Sequence, residues 1–387
     1  MARLLILCGL GLTIATVQAI VVPFAALYAT GLGAAPFAVG AVVASGFLVP
    51  LLAAVRIGKI VDRFGARAVI TVGAALLALA AVPVAVAPSL GTIAALAIVT
   101  NFGHVSAIVA SQRAVARTVR SRETAFGWFT TCVSIGQLIG PLAMGVAIDA
   151  FGFGGGTGAT LVAAVLALAL ALAVRRRLPG PSRSDATAGP VSVRGDLRAD
   201  PVAPIAILGS GGALFAMGAH QAFYPVVLDG MGVAAGTIGL ILALRAAASI
   251  AVRPFLAMFI RWTGSRAVVY GASLAACGIG IAIPFLPAPI ALAAGASLLL
   301  GVGSGLAQPM SMVLLVDHVP PEHHGSLLGV RMAVNYASIG VATVALGAAI
   351  ATVGPVAAFA ATGAFPAAMA AAVLRRRAQV DAVPVGR

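Results

Sequence analysis

Gly58-Lys59-Ile60-Val61-Asp62-Arg63-Phe64-Gly65-Ala66-Arg67-Ala68-Val69-Ile70 sets one acid among bases and glycines, and the chain on either side of it, over about 35–56 and 67–87, is apolar. A helix that crosses about 30 Å of hydrocarbon needs about 20 apolar residues, because it must satisfy its own backbone hydrogen bonds. Two such runs joined by a short charged turn read as two membrane spans meeting a loop at the membrane surface. The glycines permit a tight turn and close helix approach. Asp62 is placed to accept backbone N–H groups at a helix amino end and to pair with the neighbouring arginines.

The rest of the chain repeats this pattern. Of 387 residues, 61% are hydrophobic and 9% charged, against about half and about 25% in a soluble domain. Apolar stretches fall at about 4–28, 35–56, 67–87, 91–113, 124–148 and 157–174, then 204–228, 235–259, 266–286, 290–316, 325–350 and 355–374. The fold class expected is all-α integral membrane, twelve transmembrane helices as two six-helix bundles. The domains are 1–174 for the first bundle, 175–203 for a Pro-, Ser- and Arg-rich cytoplasmic linker, 204–374 for the second bundle and 375–387 for a cytoplasmic tail. Arg3 ahead of an apolar run has the look of a signal peptide, but the run is too long and eleven follow, so it reads as a retained span.

A net charge of +14 raises nucleic-acid binding, and the placement of the bases argues against it. Arginines and the single lysine cluster in alternate loops, at Arg56/Lys59/Arg63/Arg67, Arg113/Arg117/Arg120/Arg122, Arg175 to Arg198, Arg253/Arg261/Arg266 and Arg375/Arg376/Arg377. The loops near Gly31, Pro88, Gly154, Met231, Pro287 and Gly354 have none. By the positive-inside rule the basic loops and both termini are cytoplasmic. The halves also look like degenerate copies offset by about 200 residues: Phe64-Gly65-Ala66-Arg67 has its counterpart in Thr263-Gly264-Ser265-Arg266, and the loop running to Gly127 parallels that from Val319 to Gly329.

With its glycine, its aspartate four residues on, the adjoining arginine and the next glycine, the 58–70 loop resembles the signature loop of the major facilitator superfamily; Ala66 replaces one of the basic residues. The resemblance implies a twelve-helix transporter in which Gly58, Asp62, Arg63, Gly65 and Arg67 form a charge lock that governs alternating access. Arg261 stands where the second half would carry the aspartate, so the lock is expected in the first half only. Gly136-Gln137-Leu138-Ile139-Gly140-Pro141-Leu142-Ala143-Met144-Gly145 is similar to the fifth-helix motif of the family's antiporters. Gly136, Gly140 and Gly145 allow close helix approach, and Pro141 frees the carbonyl of Gln137. Small-residue packing with a kink accounts for the same residues.

In the resembling family the cavity is lined by the first, fourth, seventh and tenth helices, which implies Gln18, Asn101, His104, His220, Gln221, Tyr224, Ser304 and Gln308 as substrate-binding candidates. Arg245 lies eight residues before Arg253, about 12 Å deeper along its helix. No acid is placed near it in mid-membrane, so with Arg331 it is expected to make the cavity electropositive and to favour an anionic substrate; a structural arginine bonded to carbonyls or to Asp229 is the alternative. His104 and His220 are the proton-carrier candidates, because imidazole titrates near neutrality. His318, His323 and His324 beside Asp317 and Glu322 match no zinc spacing and read as a polar loop, so no metal is expected. Gly154-Gly155-Gly156 reads as a turn.

No nucleotide-binding motif, catalytic set or cofactor site is recognised. The expectation is a monomeric inner-membrane transporter, not an enzyme, with no cofactor and no nucleic acid, embedded in the lipid bilayer, which expels a small organic molecule in exchange for protons. The alternatives are proton-coupled uptake of an anionic metabolite and a non-transporting membrane sensor.

Overall fold

A computed structural model describes residues 2–116, 122–175, 200–283, 289–318 and 324–382, and these residues are helical apart from short turns. Most of the expected linker, 176–199, and the loop residues 319–323 lie outside the described residues. Eight helical stretches are long and apolar enough to cross a membrane. Two of them, Gly127–Arg175 and Leu327–Arg375, run to 49 residues, and a straight helix of that length would be about 74 Å long, more than twice the hydrocarbon core. Each therefore has to reverse. The reversals fall at Phe151-Gly152 and at Gly354, where φ is 62° at Gly152 and 79° at Gly354. With the shorter apolar helices Pro36–Leu52 and Arg266–Ala282, the described residues divide into twelve spans, as the sequence leads one to expect.

The first span is Ala2–Gly31 and the second 36–64, which ends where Gly65 takes φ 79°. The third runs over 66–80, followed by a short helix at Val82–Val86, and the fourth is Leu90–Ala116. The fifth covers 122–150, the sixth 153–175 and the seventh Val202–Gly230. The eighth, Ala235–Thr263, carries a 3-10 turn at Arg253–Phe255, where Pro254 lacks the N–H an α-helix needs. The ninth is Arg266–Ala282, the tenth Pro289–His318, the eleventh 324–353 and the twelfth 355–375.

The repeat is legible in the backbone. Among the described residues six glycines have positive φ, and they pair as Gly33 with Gly232, Gly65 with Gly264 and Gly152 with Gly354, each pair about 200 residues apart and at the same point of its half. Buried side chains form two clusters. One comes from 4–174 with Tyr336 packed against it, the other from 202–380 together with Val22, Ala26, Ala29, Val39, Val43 and Phe47 of the first two spans. Leu5, Val86, Val146, Phe151 and Val341 are all at least 60% exposed, which suits an outer surface in contact with lipid.

The turn expected at Gly154-Gly155-Gly156 lies a few residues earlier. Gly152 alone supplies the left-handed backbone, and 153 onward is helix. Gly155 and Gly156 are instead packing positions, where a β-carbon would collide with the Ala147 carbonyl and the Phe24 ring.

Candidate functional site

A polar cavity of about 270 Å³ lies between the halves. Gln18 of the first span, Asn101 and His104 of the fourth and Gln137 of the fifth face it from one half. From the other come Gln221, Arg245, Ser249, Arg253, Ser304, Gln308, Arg331 and Asn335, with Leu214, Met217, Met312, Met332 and Ile339 as apolar lining. Phe47 and Tyr336 close one flank. Among the described residues no carboxylate lines it.

Close backbone packing sets these side chains in place. Gly136 and Gly140 face the first span, where a β-carbon would strike the Leu12 carbonyl or come within 2.6 Å of the Ala19 side chain, so Gln137 sits in the same wall as Gln18. A β-carbon on Gly46 would lie 2.8 Å from the Asn101 amide nitrogen, which bonds to the Ala97 carbonyl at 2.9 Å. Gly301 and Gly305 let the tenth span lie against the backbone of Arg245 and Ser249.

The arginines differ. Arg331 donates from Nε to Ser311 Oγ (2.8 Å) and from Nη2 to the Gln308 carbonyl (3.0 Å) and Gln308 Oε1 (2.6 Å). Gln308 returns a bond from Nε2 to the Ser210 carbonyl (3.2 Å), and Ser210 Oγ donates to Asn335 Oδ1 (2.8 Å). Arg253 donates to Ser134 Oγ across the halves (2.9 Å) and to Ser249 Oγ (3.2 Å). Arg245 is only 4% exposed, its Nη1 meets nothing better than Met217 Sδ at 3.4 Å, and its Nε has no partner. No bond joins it to Asp229 among the described residues.

Eight of the ten substrate-binding candidates converge on this cavity. His220 and Tyr224 do not: His220 Nε2 bonds to Ser297 Oγ (2.7 Å), Tyr224 donates to the Gly280 carbonyl (3.1 Å), and both sit in the packing of the seventh span against the ninth and tenth. His104 lines the cavity with Nδ1 3.4 Å from the Ile14 carbonyl. Asn335, Ser210 and Ser311 were missed by reasoning from single residues. Asn335 follows Arg331 by one helical turn, which is the signal that finds it.

At the end of the molecule whose loops lack bases, the halves meet through glycine. A β-carbon on Gly145 would collide with the Ala235 carbonyl, one on Gly239 with that of Pro141, and one on Gly40 with that of Thr343; one on Gly347 would come within 2.5 Å of the Pro36 carbonyl. Asp149 of the fifth span caps the eighth, accepting from Ala235 N (2.9 Å) and Gly236 N (2.7 Å). At the basic end Gly65 makes its turn, and Arg63 lies over the Phe64 ring at 5.4 Å. Arg63 and Arg67 are exposed. The side chains of Lys59 and Asp62, and the surroundings of Gly58, lie outside the described residues. In the second half the start of the ninth span receives a carboxylate from the tail, with Asp381 Oδ1 accepting from Ala267 N at 3.0 Å. Asp317 pairs with Arg266 at 2.7 Å, and His318 bonds to the Leu314 carbonyl; His323 and Glu322 lie outside the described residues.

The sequence profile of the Major Facilitator Superfamily matches residues 7–343 and, in a second match, 212–385. No curated protein matches the chain in sequence. Among solved structures, a mutant form of the nucleoside transporter NupG superposes with a TM-score of 0.80 at 13% identity over 96% of this chain and 99% of its own. A D-xylose–proton symporter gives 0.77 at 16% identity over 99% of each chain. A POT family transporter in complex with a thioalcohol-conjugated peptide gives 0.78 at 14% identity, covering 98% of this chain and 96% of that one. At such identities the likeness speaks for the fold alone.

Proposed function

The chain belongs to the major facilitator superfamily of membrane transporters, and on that premise we propose that its cargo is a small organic molecule carrying an anionic group. The observation that carries this reading is Arg245: a buried guanidinium facing the cavity, with Met217 sulfur as its contact and no carboxylate in the lining. An arginine at mid-membrane costs about 2.5–3.5 kcal/mol on insertion scales, and a ligand carboxylate offers it the bidentate partner it lacks. Gln18, Asn101, Gln137, Gln221, Ser304 and Gln308 supply donors and acceptors for the remainder of the molecule.

In this reading 1–174 and 204–374 are the bodies that rock about the cavity, 175–203 links them, and 375–387 is the tail. The protein works as a monomer in the inner membrane with both termini cytoplasmic. Asp62 with Gly58, Arg63, Gly65 and Arg67 forms the switch on the basic end, and His104 carries the coupling proton from within the cavity. Efflux by exchange for protons rests on the fifth-span run Gly136 to Gly145. Uptake is the second reading; one structure of this fold is described as a D-xylose–proton symporter.

Accumulation of a panel of labelled carboxylates, cations and neutral compounds in cells expressing wild type or Arg245→Gln, with and without an uncoupler, tests this. Lower accumulation of an acid in wild type, lost with the variant and with uncoupler, is expected. Higher accumulation reverses the direction. Transport of cations or neutral compounds only, unaffected by the substitution, overturns the anionic cargo.

A further inference from the structure

Beside the polar cavity runs an apolar groove of about 460 Å³ between the second and eleventh spans. Ala44, Leu48 and Leu51 form one wall; Ala337, Gly340 and Val344 form the other. Phe47 and Tyr336 line both spaces, one from each half, with rings stacked at a centroid distance of 6.4 Å. This aromatic pair is thus the partition that the groove and the cavity share. Leu48 and Val341 at its rim are 53% and 60% exposed, on a surface that faces lipid. Counted from Pro36, Phe47 lies about 16 Å along its helix, near the middle of the hydrocarbon.

A small hydrophilic anion needs only the cavity. It leaves unexplained an almost wholly apolar groove on the far side of two aromatic rings, open sideways to the bilayer. Together the two spaces fall inside the range of about 300–1,000 Å³ typical of pockets for drug-sized ligands. They also divide by chemistry, an unpartnered guanidinium on one side and hydrocarbon on the other.

We infer that the cargo is an amphipathic anion, a carboxylate on a linear alkyl chain, whose head group binds Arg245 and whose tail passes Phe47 and Tyr336 into the groove between the second and eleventh spans. This rests on the anionic-cargo reading and adds to it a tail and a lateral route from the bilayer. An ordinary phospholipid tail also fills such a groove, but its occupancy does not depend on Arg245.

The test uses the full chain held in amphipol, free of bilayer, titrated calorimetrically with butanoate, dodecanoate and methyl dodecanoate. Dodecanoate is expected to bind at least about tenfold tighter than butanoate, because several methylenes leave water, and tighter than its neutral ester. Gly340→Phe fills the groove, and there is room for the change, since a β-carbon there meets nothing nearer than the Ala44 carbonyl at 4.0 Å. It is expected to abolish the gain from chain length while leaving butanoate binding unchanged, whereas Arg245→Gln weakens both acids. Equal affinity for the two acids or an unchanged gain in Gly340→Phe overturns the tail site while the anionic cavity stands; an ester that binds as tightly as the acid overturns the pairing of a carboxylate head group with Arg245. Binding of neither acid to wild type overturns both.

Discussion

Arg245 and Arg331 occupy the same cavity and have opposite accounts. Arg331 makes three hydrogen bonds within the second half, and bonds to a charged group are worth about 1.5–3 kcal/mol each, which offsets its burial. Arg245 has no such compensation. Arg331→Gln is therefore expected to lower stability by about 1–3 kcal/mol, because Ser311 and Gln308 lose their donor, and a thermal melt in detergent reads this directly. Arg245→Gln is expected to leave the melt unchanged or raised while transport of the acid falls at least about tenfold; a lower melt with unchanged transport would make Arg245 structural. His104 makes a third case. If it carries the proton, His104→Gln keeps anion exchange across proteoliposome membranes but loses the response to an imposed pH gradient.

Among elements, the pairing of the fifth span with the eighth concentrates the most chemistry. Asp149 neutralises the positive end of the eighth span with two backbone bonds, an interaction worth about 0.3–1 kcal/mol at an exposed helix start. Asp149→Asn is expected to shift the population toward the state open at that end, seen as faster labelling of a cysteine placed at Gln221 by an impermeant thiol reagent; unchanged labelling would make the cap incidental. The sequence revealed the spans because hydrophobic runs of membrane length allow few alternatives. It misplaced the turn between the fifth and sixth spans because Gly154-Gly155-Gly156 outnumbers Gly152, and composition does not tell a glycine needed for φ from one needed for proximity. In the cavity Gln18, Asn101 and Gln308 were legible as polar residues on the implied helices. His220 and Tyr224 look identical in sequence yet face the packing side, since the rotation of a helix with so uniform an apolar surface is set by its neighbours.

At the scale of the molecule, two halves with matching glycine turns enclose a cavity whose polar equipment is lopsided. The second half supplies all three arginines, and the first supplies amides and an imidazole. If the halves rock, linking them at the charge-poor end must arrest the cycle. Cysteines in place of Asp149 and Ala235, which face each other across that end with Asp149 accepting from the Ala235 N–H at 2.9 Å, are expected to stop transport when bridged by a short bifunctional thiol reagent and to resume it on reduction of a cleavable bridge; continued flux would show that this seam never parts. That seam is made of main chain meeting main chain at Gly40, Gly145, Gly239 and Gly347, with no side chain drawn from the cavity. Leak-tightness and selectivity are therefore separate traits in this protein, and the cavity can be rewritten for another cargo without reopening the question of how the door shuts.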